Sequence, residues 1–253
     1  MKVTFLGTGT SLGVPIIGCK CKVCQSKDNK DKRLRSSVFI EIQDKKFIID
    51  TGPDFRIQCL NNNIDRIDAV FITHIHRDHL SGLDDIRPFC YQQKAFIPVY
   101  GSKITCERIL KDFAYCFGEN RYPGVPDITL NEISTQDFFV QGIKVTPILV
   151  KHAKMDVTAF RINNFTYITD ASFISEESLQ KIKGTEYLVV NALRLEPHPS
   201  HFTLSQALDL IKKISPKHAY ITHVGHGFGF YDEMQKNLPE NVTLSYDGLK
   251  IEF

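Results

Sequence analysis

The chain has 253 residues, 42% of them apolar and 24% charged, with a formal net charge of +2. This is a globular composition, long enough for one large core or two small ones, and the near-neutral charge selects no class of partner. No apolar run approaches the roughly 18 residues that mark a bilayer span, and Met1–Thr10 lacks a charged-then-apolar leader, so a cytoplasmic protein without membrane contact is expected.

In chain order, apolar runs bounded by turn residues predict strands at Val3–Gly7, Ser37–Ile42, Lys46–Asp50, Asp68–Thr73, Ile97–Tyr100, Ile143–Val150, Val157–Ile162, Phe165–Thr169, Tyr187–Asn191, Ala219–Thr222 and Leu249–Phe253. Helical spacing predicts helices over Lys103–Phe117, Glu176–Lys183 and Leu204–Ile214. In the last, Leu204, Ala207, Leu208, Ile211 and Ile214 share a face and Thr203 is the N-cap. Strand clusters followed by helices suggest two sheets between helical layers. The sequence holds no internal repeat, low-complexity tract or Ser/Gly-rich linker, so a single domain over residues 1–253 is expected. Cys59, Cys90, Cys106 and Cys116 read as core residues. Pocket shape is expected from loops at Arg87–Gln93, Phe117–Pro126 and Gly225–Tyr231.

The stretch Thr73–His79, T-H-I-H-R-D-H, follows the apolar run Ala69–Ile72 and packs three histidines and one aspartate into six residues. Residues two apart in an extended segment project to one side, so His74 and His76 can share a metal ion. Asp78 and His79 come where the chain can turn and can serve a second ion. His152, Asp170 and His223 each stand where a predicted strand stops, a common place for sites on sheets. Asp170 is the natural bridging group, since a carboxylate has two oxygens.

Gly18-Cys19-Lys20-Cys21-Lys22-Val23-Cys24 is a second cluster. Seven cysteines in a chain without a leader argue for a reducing compartment, where grouped thiols are metal ligands more often than disulfides. Cys19, Cys21 and Cys24 supply three thiolates, a tetrahedral zinc wants a fourth ligand, and His226 is the candidate. Lys20–Arg35 carries seven Lys/Arg against two Asp, which suits either a phosphate-attracting patch or a solvated loop.

The order H-x-H-x-D-H, then His, Asp and His resembles the two-metal pattern of the metallo-β-lactamase superfamily, over nearly the whole chain from Phe5-Leu6-Gly7-Thr8-Gly9-Thr10 onward. The resemblance implies an α+β, αββα sandwich of two mixed sheets flanked by helices. It implies one ion on His74, His76 and His152, another on Asp78, His79 and His223, and Asp170 between them. It also implies that Asp50, in Asp50-Thr51-Gly52-Pro53-Asp54, hydrogen-bonds the ligand loop without binding metal. The nitrogen and oxygen donors accept Zn, Mn or Fe, while the thiolate cluster prefers a structural Zn. Superfamily members with diiron redox chemistry carry Glu where His76 stands, so hydrolysis is favoured.

The cysteine cluster after G-T-G-T-S-x-G-x-P, with His-x-x-His near the end, is similar to the PhnP group of cyclic phosphodiesterases. That resemblance implies a small ribosyl or nucleoside phosphodiester as substrate and a homodimer, with no nucleic acid or membrane partner. It implies that His201 acts as general acid, in the loop Asn191–Thr203 where Arg194 is a candidate clamp for a phosphate oxygen. His198, between two prolines, reads as a surface histidine, and His218 as structural. The alternatives are a tRNA 3′-processing endonuclease, a thioester or lactone hydrolase, and a non-enzymatic PqqB-like metal-binding accessory protein.

Overall fold

A computed structural model describes residues 1–118 and 121–253, which fall into two units. The first comprises Met1–Leu6, Ser37–Ser134 and Gly248–Phe253, and the second Gly7–Ser36 and Thr135–Asp247. Residues 119 and 120, within the expected loop Phe117–Pro126, lie outside the described residues.

Among the described residues the first unit carries a seven-stranded sheet. Its order is Lys250–Glu252, Lys2–Gly7, Ser37–Ile42, Lys45–Ile49, Ala69–Phe71, Ile97–Gly101 and Ile128–Glu132. Lys45–Ile49, Ala69–Phe71, Ile97–Gly101 and Ile128–Glu132 run parallel, so Asp50 and His74 follow strands that end at the same sheet edge. Ala69, Val70, Phe71 and Ile72 are all buried, as in a central parallel strand covered on both faces. Phe55, Val70, Ile72, Leu80, Ile86 and Ile109 belong to one core cluster, to which helices Phe55–Asn61, Arg77–Leu80 and Lys103–Asp112 contribute.

Two expectations in this unit are corrected. Arg87–Gln93 is a helix and not a loop. Pro88 sits in its first turn, where a missing N–H costs nothing, and Lys94 closes it in the left-handed region. The helix expected over Lys103–Phe117 stops at Asp112. The chain then tightens into a 3-10 turn at Ala114–Cys116, with Phe113 and Cys116 both buried.

The second unit carries an eight-stranded sheet among the described residues, in the order Phe173–Ile174, Ile143–His152, Met155–Ile162, Phe165–Ile168, Tyr187–Asn191, His218–Thr222 and Val242–Leu244. Phe138–Val140 also pairs with Ile143–His152. Two antiparallel steps restore the direction of Ile143–His152 at Phe165–Ile168, and the next three strands follow in parallel. One edge of this sheet therefore receives the C-terminal ends of five strands, at His152, Ile168, Asn191, Thr222 and Leu244. The first strand runs two residues beyond the expected Val150, because its ladder with the next strand continues to the pair His152–Met155. His152 is thus the strand's last residue and not its follower. Both sheets mix parallel and antiparallel pairs and both units carry helices, which is the expected fold class.

Helix Leu204–Ile214 buries Ala207, Leu210 and Ile211, with Leu204, Leu208 and Ile214 half-buried on the same cluster. Thr203 caps it through a reciprocal capping box with Gln206. No helix among the described residues is long and apolar enough to cross a membrane. Since Thr203 ends the loop that carries His201, Thr203→Ala should lower stability by about 1 kcal/mol. Urea melts of parent and variant measure this, and equal midpoints would show that the cap contributes nothing.

Candidate metal centre

Each unit builds its own set of oriented donors. In the first, Asp50 is fully buried and takes a left-handed φ of 67° just after strand Lys45–Ile49. Its Oδ1 accepts the Thr73 amide at 2.8 Å, and its Oδ2 accepts the Thr73 hydroxyl at 2.9 Å and the His79 Nδ1–H at 2.6 Å. Burial pushes the Asp50 carboxyl up, while His79 and the two Thr73 donors oppose that shift. Because the Thr73 hydroxyl gives its proton to Asp50, it can only accept from His74, whose Nδ1 lies 2.9 Å away. Both imidazoles thus hold their proton on Nδ1 and present the lone pair of Nε2.

His79 Nε2 lies 3.1 Å from Asp78 Oδ2. A lone pair and a carboxylate at that spacing repel unless a proton or a metal cation lies between them. The rings of His74 and His79 are 4.3 Å apart and those of His74 and His76 are 4.7 Å apart. His74 and His79 are buried, His76 is exposed, and helix Arg77–Leu80 carries Asp78 and His79.

In the second unit the same rule recurs. His152 Nδ1–H donates to the Ser200 carbonyl at 2.7 Å. The Ser36 hydroxyl donates to the Gly9 carbonyl and therefore accepts from His223 Nδ1, 3.2 Å away. Both Nε2 atoms again keep the lone pair, and His223 Nε2 stands 3.3 Å from Asp170 Oδ1. Asp170 and His223 are buried and left-handed, at φ 55° and 57°. The Thr169 hydroxyl donates to Asp170 Oδ2 at 2.7 Å. His201 is also buried, with its Nδ1 3.7 Å from Asp170 Oδ1 and its ring 4.5 Å from His152 and 5.0 Å from His223. Burial, then His223, push His201 down to about 3, with Asp170 opposing. His152, Asp170 and His201 place their donor atoms within 4.8 Å of one another.

The thiols converge in the second unit. Cys19, Cys21 and Cys24 place Sγ at 3.4, 3.5 and 3.4 Å from His226 Nδ1. A tetrahedral ion with bonds of about 2.3 Å to sulfur and about 2.0–2.1 Å to nitrogen has sulfur–nitrogen edges of about 3.5 Å. The cluster therefore fits zinc. The Cys24 amide donates to Cys21 Sγ, and this chiefly draws the Cys21 thiol down to about 6. Burial pushes Cys24 up to about 11.

A cavity of about 370 Å³ in this unit is lined by Arg194, His198, His201 and His226, with Leu12, Ile16 and Leu193 as apolar wall. Arg194 turns two N–H groups onto its own loop, to the carbonyls of Glu196 at 3.2 Å and Pro197 at 2.8 Å. A larger cavity of about 660 Å³ holds none of the candidate residues, and its ions pair internally, as in Asp137–Lys144 at 2.6 Å.

Of the residues that do the orienting, sequence reasoning named Asp50, which accepts from Thr73 and His79 as expected, and missed the others. Asn191 grips Ala171 with both ends of its amide, at 2.7 and 3.0 Å, and so fixes the segment after Asp170. Thr73, Ser36 and Ser200 act on imidazoles through a hydroxyl or a carbonyl, and nothing in their type or spacing marks them. Gly9 left a trace in the sequence: a Cβ there would meet Arg33 Cβ at 2.9 Å, so only glycine lets Thr10 and Ser36 reach His223. His218 bonds Thr243 at 2.8 Å and is structural as expected.

Comparison with known proteins follows this geometry. The sequence model of the beta-lactamase superfamily domain matches residues 45–224. An octanoyltransferase of Porphyromonas gingivalis is 37% identical over 254 residues, covering 99% of this chain and 51% of that protein. A ribonuclease Z of Nanoarchaeum equitans is 27% identical over 172 residues, covering 64% of this chain and 53% of that protein. The chain thus spans about half the length of these curated relatives. Among solved structures, a diphosphatase from the PhnP family superposes with a TM-score of 0.93 at 37% identity, covering 100% of this chain and 96% of that one. The chain belongs to the beta-lactamase superfamily, with the metallo-β-lactamase fold, and is similar to the PhnP-family diphosphatase.

Proposed function

We propose that the chain is a metal-dependent phosphoric diester hydrolase acting on a small ribosyl or nucleoside cyclic phosphate. The observation that carries this reading is the shared orientation of four imidazoles. His74, His79, His152 and His223 each hold Nδ1–H against an oxygen and turn the Nε2 lone pair to a ligand. In this reading His74, His76, Asp78, His79, His152, Asp170 and His223 hold two divalent ions. The Cys19, Cys21, Cys24 and His226 cluster holds a structural zinc.

Divalent ions on such ligands supply a water nucleophile at neutral pH and neutralise phosphoryl oxygens. The chain's own residues do the rest. Thr73, Asp50, Ser200 and Ser36 keep Nε2 unprotonated on His74, His79, His152 and His223 in turn. His201 passes a proton to the departing sugar oxygen. The bound phosphate anion favours its charged form and offsets the burial that otherwise holds it near 3. Arg194, braced by its loop carbonyls, keeps N–H groups for a phosphate oxygen.

The 37% identity to a PhnP-family diphosphatase, which the chain matches over 96% of that protein's length, supports phosphorus as the reacting centre. It also gives a diphosphate linkage as a second reading, since both bonds need the same in-line attack. A homodimer and a cytoplasmic location complete the proposal.

Purified protein is expected to contain three metals per chain by elemental analysis, one of them resistant to mild chelation. Cys21→Ser should remove that one and leave the other two, and a parent holding no chelation-resistant metal would refute the zinc assignment. His76→Ala should cut hydrolysis of bis(p-nitrophenyl) phosphate by at least about 100-fold and lower the metal content. His201→Ala should lower kcat on ribose 1,2-cyclic phosphate by about 100-fold with full metal content. Undiminished turnover by metal-loaded His201→Ala would remove that residue from the acid role. Faster hydrolysis of an octanoyl thioester than of any phosphodiester or diphosphate would sink the phosphorus reading.

A further inference from the structure

His198 lines the cavity of about 370 Å³ beside His201, and the chemistry above gives it no task. Its surroundings fix its protonation. The Ser200 amide donates to His198 Nδ1 at 3.3 Å, and the Ser200 hydroxyl lies 3.1 Å from the same nitrogen. A backbone N–H can only donate, so Nδ1 holds the lone pair and the neutral ring carries its proton on Nε2.

Ser200 therefore sets two imidazoles in opposite senses. Its carbonyl takes the Nδ1–H of His152, which leaves that ring a lone-pair ligand at Nε2. Its amide gives to Nδ1 of His198, which leaves that ring a donor at Nε2. Pro197 and Pro199 on either side restrict the backbone, so the donor is held by a stiff loop.

The rest of the wall says what such a donor would meet. Glu196 lines the same cavity, and Leu12, Ile16 and Leu193 give it an apolar side. A neutral N–H donor and a carboxylate residue that line one cavity suit the hydroxyls of a sugar, one accepting and one donating, over its apolar face.

We infer that His198 is a substrate-binding residue whose Nε2–H hydrogen-bonds an oxygen of the sugar carrying the scissile phosphate, with Glu196 accepting from an adjacent hydroxyl. This deepens the proposed function and rests on the sugar phosphate it names. The contact is made equally before and during reaction, so it sets KM and not kcat.

The test compares parent, His198→Ala and His198→Gln, each metal-loaded with its metal content checked. On ribose 1,2-cyclic phosphate, His198→Ala should raise KM by about tenfold with kcat within about twofold. On bis(p-nitrophenyl) phosphate, which has no sugar, it should change neither constant. His198→Gln, which restores an N–H donor, should recover most of the KM. Calorimetric titration with ribose 1-phosphate reads the same contact without turnover, and His198→Ala should weaken it by about tenfold. Equal losses on both substrates, a fall in kcat alone, unchanged ribose 1-phosphate affinity, or no measurable binding to any variant would overturn the assignment. Absent turnover of the cyclic phosphate with the binding difference intact would sink the proposed reaction and leave the sugar contact standing.

Discussion

A neutral imidazole has one lone pair, and the partner of its other nitrogen decides where that lone pair sits. Four histidines here share one arrangement, with Nδ1–H given to an oxygen: Thr73 for His74, Asp50 for His79, Ser200 for His152 and Ser36 for His223. Without those acceptors each ring would exchange tautomers and rotate, and the donor set would have the right residues with the wrong atoms forward. The acceptors are themselves committed. Thr73 spends its proton on Asp50 and Ser36 spends its own on Gly9, so neither hydroxyl can reverse its role.

Strand direction places these groups and left-handed turns aim them. The topology of the second sheet sends His152, Asp170, Asn191 and His223 to one edge, because each stands at or just past the C-terminal end of a like-directed strand. Asp50, Asp170 and His223 then take positive φ, which for a non-glycine residue costs on the order of 1–3 kcal/mol. Hydrogen bonds already described hold them there: three to Asp50, one from Thr169 to Asp170, and one from His223 to Ser36. Aspartate tolerates this region better than most residues, whereas His223 carries the larger conformational cost.

Much of this was legible in the sequence because ligands are rare residue types at strand ends. The run at His74–His79 and the thiols at Cys19–Cys24 announce themselves by spacing, and continuous apolar runs mark the buried parallel strands. Apart from Asp50, the residues that orient the imidazoles were not legible. Serine, threonine and asparagine are common, and Ser36, Thr73 and Asn191 matter only through partners far away in sequence. The tautomer of His198 was not legible for a similar reason: two flanking prolines suggest an exposed turn, and only the Ser200 amide places the ring's proton on Nε2. Arg87–Gln93, expected as a loop, is a helix, and a proline in its first turn is compatible with either.

The thiolate cluster belongs to the same argument. Among the described residues, the segment 11–36 has one short 3-10 turn, Asn29–Asp31, and is tied by isolated bridges only, Val14 with Arg33 and Arg35 with Gly9. Yet Leu12 and Ile16 from this segment form the apolar wall of the cavity. Cys24 Sγ accepts the Ile16 amide at 3.4 Å, and the three sulfurs gather on His226. From there a run of backbone bonds continues inward. The Gly225 amide donates to the Leu193 carbonyl, the Leu193 amide to Phe202, and the Phe202 amide to Ala171, beside Asp170. A metal on the proposed thiolate site would cross-link this loop further, since its binding energy would be realised only when the loop is folded. The wall that meets a substrate and the carboxylate beside it are thus held by one continuous set of bonds, anchored at the sulfurs.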